Sequence, residues 1–354
     1  MKNPNVISIF SGGGGIDVGF EKAGFKILFS TDNWEPAVKT LKYNNPKRNI
    51  QLRDIREVNY VKLLEDLNLK RKDIDILAGG PPCPAYSKSR FYRTEKKRAL
   101  QDENAFTLFE YFRAIDELRP KVFFFENVPG FTFKPHKAAM AALEDVAKQF
   151  NYILNYKVIN SANYGVPQTR ERFICIGVRE DIGEKFEFPY ETHYDPNKKM
   201  NPNIFIDLKP WVTCREVIGD LDIDLPEDIN MQAGSKHKNL LKEIPPGQNY
   251  LYFTEKRGHP NPQFKWRSRY WSFLLKLSPD RPSWTIQASF SNNQGPFHWK
   301  NRFLRLSEIK RIQTFPDDYE ILGTFKDQWR QVGNAVPPLL VKKIALAIKK
   351  QYFE

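Results

Sequence analysis

Residues 7–19 read ISIFSGGGGIDVG: an apolar run, four consecutive glycines, then a return to apolar spacing. Val6, Ile7, Ile9 and Phe10 are β-branched or aromatic and stop at Ser11, which predicts a short buried strand. After Gly15, the residues Ile16, Val18, Phe20 and Ala23 trace the apolar face of a helix that Gly24 ends. Strand, glycine loop and helix form the entry to a nucleotide-binding βαβ unit, and so to an α/β fold with a doubly wound parallel sheet. The letters exclude the phosphate-binding versions of that loop. No Gly-Lys-Ser/Thr follows, and no register of Gly12 to Gly19 spells Gly-x-Gly-x-x-Gly, because Asp17 or Val18 stands where the third glycine belongs. A second strand, KILFSTDNW (26–34), carries Asp32 at its end, the acidic side chain that such folds aim at a ribose hydroxyl. Loop plus acid suits a ribose-bearing cofactor without a diphosphate, such as S-adenosylmethionine. A tight turn with no ligand is the plainer reading of the same residues.

The chain has 354 residues, room for one large domain and a smaller one, and 41% hydrophobic and 14% aromatic residues supply a packed core. No signal peptide precedes the first strand, and no apolar run reaches the ~20 residues a membrane helix needs. A cytoplasmic protein without a membrane partner is expected. Cys83, Cys175 and Cys214 fit neither metal-ligand spacing nor a disulfide framework, so no metal is expected. Net charge is +13, and its excess is local: Lys236 to Arg311 holds 15 Lys/Arg against four Asp/Glu. Tyr252, Phe264, Trp266, Tyr270, Trp271, Phe290 and Trp299 interleave with those charges. Charge alone fits any solvated basic face; a basic, aromatic and Pro-rich segment leans toward a polyanion such as nucleic acid.

The stretch DIDILAGGPPCPAYSKSR (73–90) reads as a strand running into Gly79, Gly80, Pro81, Pro82 and Cys83. Two glycines and two prolines pin a loop at the carboxyl end of a parallel strand, where open α/β sheets place their sites. A thiol there, with Lys88 and Arg90 close behind, is either an activated nucleophile or a buried bystander. A third strand, KVFFFENVPGF (121–131), presents Glu126 and Asn127 after four apolar residues. A carboxylate in that position is poorly placed for a surface ion pair, and it puts Cys83 and Glu126 at neighbouring strand ends.

With these residues the chain resembles the DNA (cytosine-5)-methyltransferase family of prokaryotic modification enzymes, from residue 6 to about 350. FSGGGGIDVGFEKAGF resembles its cofactor motif, GGPPCPAYS its nucleophile loop, FFFENVPGF its Glu-Asn-Val motif and GVPQTRERFICIGVR its Gln-x-Arg-x-Arg motif. RFLRLSEIKRIQTFPDDY and QVGNAVPPLLVKKIALAI resemble its two C-terminal motifs, in the unpermuted order. The resemblance implies a Rossmann-like catalytic domain (1–180), a smaller, irregular β-rich target-recognition domain (181–300), and a C-terminal part (301–354) returning to the catalytic domain. It implies Cys83 as the nucleophile on cytosine carbon 6 and Glu126 as the group at ring nitrogen 3. Arg172 would bind the base's carbonyl oxygen, and Arg170 would reach a phosphate or brace the loop. S-adenosylmethionine would lie against Phe10, Ser11, Gly12, Gly13, Gly14, Gly15 and Ile16. Asp32 and Asn33 would meet the ribose, Trp34 the adenine face, and Asp54 and Ile55 the adenine amino group. Gly80, Pro82, Leu108, Asn334 and Ala335 would close the pocket, although Leu108 equally suits the core of an amphipathic helix.

The partner implied is double-stranded DNA, met by a nucleoid-associated monomer, with a cognate restriction endonuclease acting separately. A base inside a duplex cannot reach Cys83, so the target must be extruded. Ser87, Lys88, Ser89 and Arg90 would meet the DNA backbone from the nucleophile loop, and Lys265, Arg267, Arg269, Arg281 and Gln287 would contact DNA from the recognition region. One departure stands out: Pro84 follows the nucleophile where the family most often has Gln or Asn, which removes a polar side chain and a backbone donor. An RNA cytosine-5 methyltransferase and a catalytically silent DNA-binding regulator are the alternatives.

Overall fold

Elements alternate along the first half of the chain as the apolar spacing predicts. The computed structural model describes residues 3–82, 106–198, 207–289 and 291–354, so Cys83, Pro84, Ser87, Lys88, Ser89 and Arg90 lie outside the described residues. Strand β1 (Asn5–Ile9) leads through the glycine loop into α1 (Gly15–Lys22), followed by β2 (Lys26–Asp32), α2 (Glu35–Asn44), β3 (Asn49–Leu52) and α3 (Tyr60–Asp66). After β4 (Ile76–Gly79) come α4 (Phe106–Leu118), β5 (Val122–Asn127), α5 (Lys137–Gln149), β6 (Tyr152–Asn160), β7 (Gln168–Thr169) and β8 (Glu171–Arg179).

The seven-stranded sheet runs β3-β2-β1-β4-β5-β8-β6, with β8 antiparallel to both neighbours. The chain winds outward from β1 through β2 to β3, then returns to the other side of β1 at β4. This reversal opens a crevice at the carboxyl ends of β1 and β4, where an α/β sheet binds its ligand. All six residues of β5 are buried, which explains its unbroken apolar run. On one face Ile7, Ile9 and Phe123 pack with residues of α3, α4 and α5, including Leu63, Ile115 and Leu143. On the other, Val6, Phe20 and Phe124 pack against Leu340, Val341 and Ile344 of the last helix (Pro338–Tyr352). The doubly wound architecture is therefore complete only when the C-terminus returns. Among the described residues no helix is long and apolar enough to cross a membrane.

The second lobe carries less regular β structure than expected. Its β content, among the described residues, is three two-residue strands, β9 (His193–Tyr194), β10 (Lys209–Pro210) and β11 (Ser283–Trp284), plus isolated bridges. Helices α6 (Cys214–Ile218) and α7 (Lys238–Glu243) and several 3₁₀ turns fill the rest. Proline supplies no ladder donor, so a segment this rich in it breaks strands early; among the described residues SWTIQASF contributes only β11, and that pairs with β7 of the large domain. Its core is aromatic, built from Tyr250, Phe253, Phe273, Phe297 and Phe303. Phe186 and Phe188 pack with Val178 and Ile348 in the large domain's core. Helices α8 (Leu306–Ile312), α9 (Phe325–Asn334) and α10 (Pro338–Tyr352) carry the chain back.

Candidate active site

Most glycines of the glycine loop are there for packing. A Cβ on Gly13 would lie 3.1 Å from Cβ of Gln331, one on Gly14 would collide with the Tyr319 hydroxyl, and one on Gly15 would sit 2.9 Å from Cβ of Ala335. These three accept the returning C-terminal segment, and Tyr319 Oη fixes the loop by donating to the Gly13 carbonyl at 3.0 Å. Gly12 alone of the four has open space where a Cβ would be, at φ +52°. Its N–H donates to Asp32 Oδ2 at 2.9 Å, and Trp34 N–H donates to Asp32 Oδ1 at 2.9 Å. Burial pushes the Asp32 carboxyl up, against the pull of those backbone donors. A half-buried carboxylate held at a strand end beside open backbone fits a ribose diol, and half-buried Phe10 and Trp34 flank it.

Other positions expected at the cofactor divide. Asn33, Pro82 and Asn334 are exposed, and Gly80 and Ala335 are half-buried at the crevice. Ile16, Ile55 and Leu108 are core residues, 5%, 6% and 4% exposed. The Leu108 side chain packs on the apolar face of α4, the core role its helix spacing equally suited, and Ile16 packs in the core beneath the glycine loop. Asp54 caps a turn by accepting the Arg56 N–H and holds both oxygens on the Arg56 guanidinium, at 2.9 and 2.7 Å. That ion pair holds its carboxyl below the usual range, and an adenine amino group there would share an oxygen with Arg56.

At the end of β5, Glu126 Oε1 meets Arg172 Nε at 2.8 Å, the two side chains 12% and 13% exposed. Arg172 enters β8 beside β5, so strand pairing creates the contact. Burial pushes the Glu126 carboxyl up while Arg172, and then Arg170, pull it down. The result is a carboxyl group that can hold or share a proton next to a fixed cation. Gly80 is needed for close approach, since a Cβ there would come 2.6 Å from Glu126 Oε2. Asn127 Nδ2 donates to the Pro81 carbonyl at 3.4 Å and Thr107 Oγ1 to the Pro82 carbonyl at 3.0 Å, tying β5 and α4 to the loop that leads to Cys83. Among the described residues no group of His, Cys, Asp and Glu could hold a metal.

Of the two roles expected for Arg170, phosphate contact and brace, its surroundings fit the brace. It is fully buried, and its guanidinium donates to the carbonyls of Ile286 (3.0 Å) and Gly333 (2.8 Å). A side chain so enclosed reaches no phosphate; it ties the Arg172 strand to the second lobe and to α9. Buried Gln168 extends the brace: Nε2 donates to Gln313 Oε1 at 2.5 Å, and Oε1 accepts from Ile286 N at 3.1 Å. Gln313 Nε2 in turn donates to the Ala335 carbonyl at 2.5 Å. Neither glutamine was found by sequence reasoning, although Gln168 opens the Gln-x-Arg-x-Arg stretch. Also missed is Asp17, 1% exposed, which accepts from Ser8 and Ser30 and pairs with Arg48 at 2.9 Å beneath the glycine loop. Lys265, Arg267, Arg269, Arg281 and Gln287 are all exposed.

Comparison with known proteins matches this geometry to a family. A model of the C-5 cytosine-specific DNA methylase family covers residues 4–350. The chain is 39% identical to the Type II methyltransferase M.SacI of Streptomyces achromogenes, over 98% of this chain and 93% of that one. It is 32% identical to the Type II methyltransferase M.MthTI of Methanothermobacter thermautotrophicus, over 98% of each. A prophage-encoded DNA modification methyltransferase structure from E. coli superposes with a TM-score of 0.70 at 19% identity, covering 99% of this chain and 100% of that one. The chain belongs to the C-5 cytosine-specific DNA methylase family and is a DNA (cytosine-5) methyltransferase.

Proposed function

We propose that Cys83, Glu126 and Arg172 carry the methyl transfer to a cytosine extruded from double-stranded DNA, with S-adenosylmethionine as donor. The observation that carries the reading is the Glu126–Arg172 pair at the β5 end, 2.8 Å apart and beside the loop that leads to Cys83. Cytosine carbon 5 is a weak nucleophile. Addition of the Cys83 thiolate to carbon 6 forms a C–S bond and moves the ring's π electrons toward carbon 5 and nitrogen 3. Glu126, whose carboxyl burial pushes up, shares a proton with nitrogen 3, and Arg172 holds both that carboxyl group and the carbonyl oxygen at position 2. The bound donor supplies an electrophilic methyl group on a sulfonium. Once carbon 5 is methylated, its proton leaves to a base, the C–S bond breaks, and Cys83 departs as thiolate.

Asp32, the Gly12 backbone and Trp34 would hold the ribose and adenine, with Arg170 and Gln168 acting behind the site as positioning residues. The second lobe, from after Phe188 to about residue 305, would be the target-recognition region, its basic excess clamping phosphates. Type II relatives support assignment as the modification half of a restriction–modification system. A duplex with 5-fluorocytosine at the target tests the mechanism, because fluorine at carbon 5 cannot leave as a proton does. Donor-dependent accumulation of a denaturation-resistant protein–DNA adduct is expected, absent in Cys83→Ala. Methyl transfer by Cys83→Ala at the wild-type rate would remove the covalent route.

A further inference from the structure

Trp271 and Trp284 lie 52% and 41% exposed, with ring centroids 5.6 Å apart and planes crossed at 73°. Two indoles left open side by side on a soluble surface mark a contact surface. Neither is on a loose segment. Trp284 lies on β11, paired with Thr169 of β7, and the Thr169 hydroxyl donates to the Ser283 carbonyl at 3.1 Å. The Trp271 carbonyl accepts from buried Asn249 at 2.7 Å. Thr169 precedes Arg172 by three residues, so Trp284 lies roughly 10–15 Å from the arginine at the reacting base, given about 3.3 Å per strand residue and about 5 Å between strands. That is a few base steps of about 3.4 Å. Exposed Arg267, Arg269 and Arg281 come two to four residues before the indoles in sequence, the charge complement of a phosphate backbone.

We propose that Trp271 and Trp284 stack on the bases bordering the extruded cytosine and hold the duplex open there. The inference rests on the reading that this chain extrudes cytosine from duplex DNA, and it assigns the cost of that opening to a named pair of side chains. As positioning residues, they matter only while the opening has to be maintained against re-pairing.

The test uses the full chain and two synthetic duplexes carrying the methylated context found by bisulfite sequencing. One has guanine opposite the target cytosine; the other has an abasic position there. On the intact duplex, Trp284→Leu and the Trp271→Leu/Trp284→Leu double variant should lose roughly tenfold or more in kcat/KM, with Trp284→Phe retaining most of it. On the abasic duplex, where nothing re-pairs, all should come within about twofold of wild type. Indole fluorescence should fall when wild type binds the intact duplex, and fall less in Trp284→Phe. Equal losses on both duplexes, wild-type rates for the double variant, or unchanged fluorescence on binding would each overturn the proposal. Should a leucine variant fail to fold, the fluorescence difference between wild type and Trp284→Phe decides alone. A wild-type chain inactive on both duplexes would instead refute the methylation reading.

Discussion

Arg170→Met should unfold the enzyme at a lower temperature, whereas Arg172→Met should mainly stop its chemistry. The Arg170 guanidinium makes two good charge-assisted bonds, to the Ile286 and Gly333 carbonyls at 3.0 and 2.8 Å, and longer ones to Asn334 O and Gln168 Oε1. Charge-assisted bonds contribute about 1.5–3 kcal/mol each, and methionine would leave both carbonyls buried without their donor. Against this, burial already pushes the Arg170 guanidinium well down from its ordinary value, so removing the charge returns part of its desolvation cost. The net loss is about 2–4 kcal/mol, or roughly 3–5 °C in Tm for a chain of 354 residues. Arg172→Met costs less stability, because the Glu126 carboxyl left behind neutralises itself by keeping a proton. Its turnover should fall by about 10² or more, the loss typical of a donor that stabilises developing charge. Thermal unfolding and single-turnover label transfer on both variants separate the two roles. An Arg170→Met enzyme melting within about 2 °C of wild type, yet as inactive as Arg172→Met, would refute the assignment of Arg170 as a brace.

Other positions give sharper local readouts. Asp32→Ala should weaken S-adenosylhomocysteine binding by about tenfold or more in calorimetry, the scale of a charge-assisted bond, while DNA affinity stays within about twofold; equal losses would displace the ribose contact. Gly80→Ala drives a Cβ to 2.6 Å from Glu126 Oε2, so turnover should fall by about 10² with little change in Tm, because the conflict is with one side chain at the site. Lys276 is 2% exposed, and burial pushes its ammonium down to about 8. The folded state therefore disfavours the charged form, and stability rises as pH climbs from about 8 toward 10.5. Lys276→Met should be about 1–2 kcal/mol more stable than wild type at pH 7, after the lost bond to the Lys242 carbonyl is allowed for, with the advantage shrinking by pH 10 in denaturant titrations.

The sequence made the βαβ entry legible because apolar spacing and a glycine run are local signals. Val6 to Ile9 and Ile16 to Phe20 pack as their periodicity requires. What it could not convey is which partner each glycine serves: Gly13, Gly14 and Gly15 meet Gln331, Tyr319 and Ala335, more than 300 residues away. Arg170 and Arg172 look alike in QTRER, but the break between β7 and β8 turns one side chain into the interior and leaves the other beside Glu126. Asp17 stayed hidden because the apolar neighbours of α1 mask a polar cluster shared with Ser8, Ser30 and Arg48. In the second lobe, prolines and aromatics announced irregular structure, yet its core forms from side chains with no strand or helix periodicity to follow.

The most direct test of the central claim is bisulfite sequencing of genomic DNA from cells that lack cytosine methylation and express this chain. Protected cytosines should appear in one short sequence context and vanish with Cys83→Ala. Soluble wild-type protein that leaves every cytosine convertible, or a Cys83→Ala chain that protects the same positions, would contradict it.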